Sequence, residues 1–485
     1  MKTIHYPALL IIFLVNGSCV PNKKLEEVQK RPPNIIYILA DDLGYGDLGC
    51  YGQKKIETPH LDQLALDGIR FTRHYSGSTV CAPSRSALMT GLHTGHTPVR
   101  GNQEVQPEGQ WPIPDTIQTM AELMKEAGYV TGAFGKWGLG YPGSEGDPVK
   151  QGFDRFFGYN CQRYAHRYYP EYLWDNEEKF FLEGNDWSRT ESYAPDLIQQ
   201  KAIEFIRDNS DTSFFAYLPI VIPHAELIVP DDEIYREYLG TFPETPYAGG
   251  PGADYGPEMV IAMYCSQENP HATFAAMVTR IDRYVGEIVK VIGELGLSGN
   301  TIIMFSSDNG PHLEGGADPV FFNSNGGLRG FKRDLYEGGI RVPFIVKWPG
   351  TIEPGRVSEH PSAFWDLVPT LADVTGFEYE GSDGISFLPE LLNQEQPKHP
   401  YLYWEFHEMG GKQAILRDQW KAVRLQAGRD PNGPLELFDL ESDPNEEHNV
   451  AQSNPELVRD FSSMMEQVRT PSAQFNFGRK AIQGE

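Results

Sequence analysis

The chain has 485 residues and a formal net charge of −26, from 41 Lys and Arg against 67 Asp and Glu. An acidic excess of this size excludes a general nucleic-acid binder, whose affinity rests on cationic surface. It also means that an anionic substrate has to be met by local cations, because the field of the whole molecule repels it.

Residues 1–18 carry one cation, Lys2, and then the apolar run from Ala8 to Val15. That run is too short to cross a bilayer and has the form of the hydrophobic region of an export signal. Gly17-Ser18-Cys19 has the form of a bacterial lipoprotein box, with Cys19 as the lipidated residue. Residues 1–19 are therefore expected to be a signal peptide and 20–32 a polar tether. The chain would be exported to the periplasm or, through membrane attachment by lipid at Cys19, anchored as an outer-membrane lipoprotein in a bacterium. Plain secretion, with Cys19 lost or free, is the alternative. Of the five cysteines, Cys50, Cys161 and Cys265 are too few and too widely spaced for a disulfide framework. They read as mostly buried thiols, with at most one bridge among them.

The mature part, roughly 450 residues, is long enough for one large α/β domain and a smaller one. Residues 34–40 form an unbroken apolar run of strand length, the pattern of a central strand covered on both faces. The run ends in Asp41-Asp42, and in open α/β sheets sites collect at the carboxyl ends of strands. A second run, residues 301–306, ends in Ser307-Asp308-Asn309. Alone, each Asp serves equally well as a turn or helix cap. Two strands that both end in hard oxygen donors suit Ca²⁺ or Mg²⁺.

Between these strands, residues 79–91 read Thr-Val-Cys-Ala-Pro-Ser-Arg-Ser-Ala-Leu-Met-Thr-Gly. Pro83 suits a first helical turn, which puts Cys81 at a helix N-terminus, where free N–H groups favour negative charge. An isolated cysteine of this kind is otherwise a small buried thiol. Residues 116–127 have helical spacing, and the strand-like residues 129–134 lead to Gly135-Lys136-Trp137. Lys136 is then either a surface charge or a point-charge donor to an oxyanion. Residues 160–174, rich in Tyr, His and Arg, suit a sugar-binding face as well as an ordered packed loop, with Gln162 and His166 as substrate contacts.

Residues 196–207 read as a helix and 213–218 as a strand leading to Pro223-His224. Residues 243–257, with scattered Gly and Pro, read as a loop or insertion, expected to border a substrate cleft. Residues 273–295 form a long amphipathic helix in which Asp282 reads as solvated charge. Arg329, Lys332 and Arg333 sit in a Gly-rich stretch, and residues 365–372 form a helix. Beyond residue 397 come four short strands at 401–404, 413–416, 421–424 and 436–438, then a helix to about residue 468.

Cys81-x-Pro83-Ser84-Arg85, followed by Thr90-Gly91, resembles the signature of the type I (formylglycine-dependent) sulfatases. Further segments resemble that family in the same order over nearly all of residues 33–468. The resemblance implies an alkaline-phosphatase-like α/β fold, in which a central mixed, mostly parallel sheet is flanked by helices in a catalytic domain over 33–395. A small C-terminal antiparallel sheet-plus-helix subdomain would follow over 396–485.

The resemblance further implies that Cys81 is oxidised to formylglycine by a formylglycine-generating or anaerobic sulfatase-maturating enzyme. One Ca²⁺ would be held by Asp41, Asp42, Asp308, Asn309 and the residue made from Cys81. Lys136 and Lys332 would bind sulfuryl oxygens, Arg85 would orient the aldehyde hydrate, and His224 would protonate the leaving oxygen. Arg329 joins Gln162 and His166 as a substrate contact.

One segment departs from the family. Its Gly-Lys-Trp-His-Leu-Gly reads Gly135-Lys-Trp-Gly-Leu-Gly140 here, so Gly138 replaces the histidine that handles the formylglycine proton. His93, His96 and His166 are candidates to supply an imidazole, and a water held beside Gly138 is another. Trp404, Glu405 and His407 either read substrate from the C-terminal strands or are ordinary strand and loop residues. The implied activity is that of a sulfuric ester hydrolase acting on a sulfated carbohydrate, such as galactose or N-acetylgalactosamine of a host or algal glycan. A phosphonate-monoester or phosphodiester hydrolase of the same superfamily is one alternative, and a non-catalytic glycan-binding protein on the same scaffold is another.

Overall fold

In the computed structural model, the described residues are 1–2 and 31–477. The expected export signal, Cys19 and most of the tether lie outside them. Among the described residues no helix is long and apolar enough to cross a membrane.

The main sheet contains β1 (Asn34–Asp41), β2 (Ile69–Tyr75), β3 (Val130–Lys136), β4 (Arg155–Tyr159), β5 (Tyr172–Asp175), β6 (Glu178–Phe181), β7 (Phe214–Pro223), β8 (Thr301–Ser307), β9 (Arg341–Lys347), β10 (Arg356–Ser358) and β11 (Ser362–Ala363). Across the sheet the order is β10-β2-β9-β8-β1-β7-β3-β4-β5-β6, with β11 beside β2. The central neighbours β8, β1, β7, β3 and β4 all run parallel. β9 runs antiparallel between β8 and β2, and β5 and β6 close the other edge antiparallel. The sheet is therefore mixed and mostly parallel, as expected.

β1 is buried at every position because both its faces are covered. Its side chains alternate between them. Ile36, Ile38 and Ala40 pack with the helices Ala194–Asp208 and Pro270–Glu294, while Ile35, Tyr37 and Leu39 pack with Met120–Glu126 and Leu367–Thr375. β3 reaches its place through close backbone approaches on both sides. A Cβ at Gly135 would lie 2.0 Å from the Pro219 carbonyl oxygen of β7, and one at Gly158 would lie 1.9 Å from the Gly135 carbonyl oxygen. These two glycines let the strand deliver Lys136 to the carboxyl edge.

Several expectations change in detail. The helix expected over 116–127 begins at Met120, because Thr119 forms a capping box with Glu122. Asp282, expected as solvated charge, is buried and accepts from the backbone N–H of Leu61 at 2.7 Å and of His60 at 3.2 Å. It thereby satisfies orphan donors at the start of the helix Pro59–Leu66. Cys50, Cys81, Cys161 and Cys265 are all free thiols, so no bridge forms among them.

The C-terminal strands β12 (Leu402–Phe406), β13 (Lys412–Arg417), β14 (Trp420–Leu425) and β15 (Leu435–Asp439) form an antiparallel sheet in chain order. The helix Pro455–Gln467 covers one face through Phe461 and Met465. The other face packs Trp404, Phe406 and Val423 against Tyr75, Val80 and Ala87. Those last residues flank and belong to the segment that carries Cys81. The sheet and the main domain lie within one compact unit, Pro32–Glu485.

Candidate active site

The carboxyl ends of β1, β3, β7 and β8 bring Asp41 and Asp42, Lys136, His224, and Asp308 and Asn309 together around Cys81. All seven are buried. The ligand atoms of Asp41, Asp42, Cys81 and His224 lie within 4.8 Å of one another.

Cys81 stands at a helix N-terminus as expected, and is itself the first residue of the helix Cys81–Thr90. Pro83 still costs no hydrogen bond, since the first four N–H groups of a helix lack intrahelical partners. The N-cap residue, Val80, offers no side-chain acceptor, and Asn102 Oδ1 instead accepts from the Ala82 N–H at 3.1 Å. Ser84 Oγ donates to the Asp308 carbonyl oxygen at 2.5 Å. Arg85 donates to Asp308 Oδ2 from Nε at 3.0 Å and Nη2 at 2.8 Å, and to the Lys136 carbonyl oxygen from Nη1 at 2.5 Å. One guanidinium therefore fixes the helix to the ends of both β8 and β3.

Cys81 Sγ lies 3.3 Å from Asp41 Oδ1 and 3.3 Å from Lys136 Nζ. Burial, and then the Asp41 carboxylate, push this thiol well above its ordinary range, and Lys136 offsets only part of that. The thiolate is thus disfavoured, and the thiol as it stands is a poor nucleophile. Lys136 Nζ donates to Asp41 Oδ2 at 2.7 Å. Although burial opposes charge on both, Asp41 holds the ammonium up while Lys136 and the other nearby cations hold Asp41 well below the usual carboxylate range.

The remaining carboxylates form an oxygen-rich corner. Asp42 takes φ 64°, a left-handed conformation tolerated by Asp, and its N–H donates to Asp308 Oδ1 at 3.1 Å. Asn309 Nδ2 donates to Asp42 Oδ1 at 2.6 Å, while its buried Oδ1 has no hydrogen-bond partner among the described residues. Burial, and the neighbouring Asp41 and Asp42 charges, push Asp308 up to about 7. Three crowded carboxylates and one unpaired amide oxygen fit a hard divalent cation such as Ca²⁺.

Lys332 closes the site from the opposite side. Its Nζ is 2.7 Å from Asp42 Oδ2 and 2.8 Å from His224 Nε2. Burial, then the Lys332 ammonium, hold His224 well below its ordinary range, so the imidazole is neutral. Its ring stacks on His166 with centroids 4.2 Å apart and 7° between planes, and on His312 at 5.4 Å and 14°.

Sequence reasoning passed over His312 and Glu314. His312 Nδ1 lies 3.2 Å from Glu314 Oε2, and Glu314 pairs with Arg333 and lies 3.9 Å from Lys332 Nζ. The signal was present, since both follow directly on Asp308-Asn309 at the end of β8.

The other predicted residues divide. Gln162 is buried beside Gly138, where a Cβ on that glycine would lie 3.2 Å from Gln162 Nε2. Arg329 lies against the C-terminal sheet instead, donating to the Glu446 carbonyl oxygen at 2.7 Å and stacking on Tyr336. His93 and His96 stack on each other and pair with Asp383. Glu405 is wholly buried between Arg100, Arg469 and His407, and Trp404 Nε1 donates to the Ser76 carbonyl oxygen. These C-terminal residues hold the sheet to the main domain. Glu408, which sequence reasoning did not single out, accepts from the Asn102 N–H at 2.8 Å and so braces the residue that caps the Cys81 helix.

A mostly parallel sheet whose strand ends surround a helix-borne Cys81 with two lysines, an arginine and an acidic corner able to hold a cation is the alkaline-phosphatase-like sulfatase architecture. Residues 33–377 match the family model described as Sulfatase, and residues 328–471 match the one described as N-sulphoglucosamine sulphohydrolase, C-terminal. The chain belongs to the sulfatase family of sulfuric ester hydrolases. It is 30% identical to N-acetylgalactosamine-6-O-sulfatase of Bacteroides thetaiotaomicron, over 96% of this chain and 98% of that protein. It is 33% identical to N-acetylgalactosamine-6-sulfatase of Sus scrofa, over 81% of this chain and 72% of that protein. Among solved structures, Ps i-CgsB superposes with a TM-score of 0.73 at 30% identity, covering 90% of this chain and 92% of that one. Its complex with k-i-k-neocarrahexaose superposes equally, with a TM-score of 0.73.

Proposed function

We propose that the chain hydrolyses O-sulfate esters on galactose or N-acetylgalactosamine units of a host or algal glycan, using Cys81 oxidised to formylglycine and one Ca²⁺. The observation that carries this reading is the position of Cys81, at the first turn of a buried helix between Asp41 and Lys136. When present, the calcium ion would neutralise the carboxylate corner and polarise a sulfuryl oxygen, and the hydrated aldehyde would supply the attacking oxygen. The substrate assignment draws on the N-acetylgalactosamine-6-O-sulfatase and on the relative that binds k-i-k-neocarrahexaose.

The chain's own residues do the rest. Lys136 and Lys332 stand as fixed ammonium groups on either side of Asp41 and Asp42, where they can take sulfuryl oxygens and disperse charge as it builds. Arg85, immobilised on Asp308, holds the residue at 81 in register with the carboxylates. His224 Nδ1 lies 2.5 Å from the Ala225 carbonyl oxygen and donates to it, leaving Nε2 to accept from Lys332. The negative charge of a bound sulfate ester would offset the Lys332 ammonium, so that His224 Nε2 takes up a proton from solvent and gives it to the oxygen of the leaving alcohol as the S–O bond breaks. Export to the periplasm, lipid attachment at Cys19 and modification by a maturating enzyme complete the proposal.

The test is a panel of sulfated monosaccharides and oligosaccharides, an aryl sulfate and a phosphonate monoester, incubated with the matured chain and analysed by ion chromatography. Sulfate release from a galactose or N-acetylgalactosamine sulfate is the expected result. Turnover of the phosphonate alone would favour the other hydrolase of the superfamily, and turnover of nothing by a chain whose Cys81 stays unmodified in the native host would favour the binding protein.

A further inference from the structure

β3 and β4 leave the sheet side by side. Lys136 pairs with Tyr159, the Trp137 N–H donates to the Tyr159 carbonyl oxygen at 2.8 Å, and the Gly138 N–H to the Asn160 carbonyl oxygen at 3.2 Å. The segment after β4 therefore lies along the active-site lysine. Gly138 takes φ 76°, and the space its missing side chain would enter is bordered by the amide and Cγ of Gln162, 3.2 and 3.4 Å from an ideal Cβ.

Several side-chain polar atoms of this segment lack hydrogen-bond partners among the described residues. Asn160 is fully buried, and neither its Oδ1 nor its Nδ2 makes a hydrogen bond among the described residues. Gln162 is 6% exposed, and its Nε2 is likewise unpaired, as is the buried Nε2 of His166. Buried polar atoms in folded proteins are nearly always satisfied, and leaving them unpaired is costly. Four such atoms on three residues, beside Lys136 and against the His224 ring, are a set awaiting a ligand.

We propose that Asn160, Gln162 and His166 form the binding site for hydroxyl groups of the sugar that carries the sulfate, with Gly138 allowing Gln162 to lie close beside Lys136. The proposal rests on the carbohydrate reading given above. The donor set selects this chemistry. An amide pair offers both N–H donors and a carbonyl acceptor, and a sugar hydroxyl both donates and accepts. An anionic group could use only the donors, and an apolar leaving group could use none. The stack of His166 on His224 places the set on the side where the leaving alcohol is protonated.

Two measurements test it. With the matured wild-type chain, deoxy analogues of the best sulfated sugar are compared with the parent. At least one is expected to lose about tenfold or more in kcat/KM, because a site built for a hydroxyl rejects the analogue that lacks it. With Gln162→Leu and Asn160→Leu, the ratio of kcat/KM for the sulfated sugar to that for an aryl sulfate is expected to fall by about tenfold or more, chiefly through KM. An unchanged ratio, equal losses on both substrates, or deoxy analogues all within twofold of the parent would overturn the site. A chain that hydrolyses the aryl sulfate and no sulfated sugar would instead overturn the carbohydrate reading, and this site with it.

Discussion

Lys332 Nζ lies 2.8 Å from His224 Nε2 and, in the same geometry, 2.7 Å from Asp42 Oδ2. Burial and then this ammonium hold the imidazole neutral, while Lys332 is itself kept charged by Asp42 and Glu314 against the cost of burial. Lys332→Ala is predicted to lower kcat by about 10²–10³-fold, the usual loss for one preorganised donor to developing charge. It should also move the His224 titration upward, because a cation that depresses it is gone. Steady-state kinetics and histidine NMR read the two effects. A variant with full kcat, or with an unmoved imidazole, would contradict the pairing.

Asn309 offers its unpaired Oδ1 to the carboxylate corner. Chelation of the matured chain is predicted to abolish sulfate release and added Ca²⁺ to restore it. Asn309→Ala should raise the Ca²⁺ concentration for half-activity by at least about tenfold, the lower end of what disturbing a metal site's support costs. Calcium titration monitored by thermal unfolding gives the same comparison without turnover. Equal calcium affinity in wild type and variant would remove Asn309 from the site.

Arg167 and Glu226, both fully buried, pair at 2.5 Å. Arg167 Nη2 also donates to the carbonyl oxygens of Val260 at 2.9 Å and Met263 at 2.5 Å, which fastens the segment leading to Tyr264 beside His166. Arg167→Ala strands a buried carboxylate and is predicted to cost about 3–5 kcal/mol in urea denaturation. KM should rise as the segment loosens, and a loss below 1 kcal/mol, on the order of an exposed pair, would contradict the clasp.

His74 is buried in the main sheet, with Nδ1 2.8 Å from Ser362 Oγ and its ring stacked on Phe344 at 4.1 Å. Burial lowers it from 6.5 to about 3. Below 6.5 the unfolded chain binds a proton that the folded chain refuses, so stability falls as pH drops from about 6.5 toward 3. His74→Phe is predicted to flatten the dependence of the urea midpoint on pH between 7 and 4. An identical slope in both proteins would show that His74 carries none of it.

The strands that build the site were legible because a parallel strand covered on both faces reads as an apolar run, and β1 and β8 announce their ends with Asp41, Asp42 and Asp308. Lys136 and His224 were legible for the same reason, as polar residues just past such runs. Contacts made between distant segments were not. Arg329 has the charge and position of a substrate contact, and only the packing of Tyr336 and the 446 carbonyl against it directs it elsewhere. Asp282 read as solvent-facing because its helix carries no sign that the start of another helix will need acceptors. Asn160 was visible as a residue, yet nothing in the chain marks a buried amide as unpaired. Gly138 stood out in the sequence, but that Gln162 lies against it depends on the register of β3 and β4.

The central claim is that sulfate-ester cleavage runs through the residue at position 81. The measurement that tests it most directly is sulfate release by the wild type and by Cys81→Ala, each co-expressed with the maturating enzyme, with the mass of the peptide containing residue 81 determined in parallel. The predicted result is a wild-type peptide carrying formylglycine, with release that disappears in the variant. Undiminished release by Cys81→Ala would contradict the account.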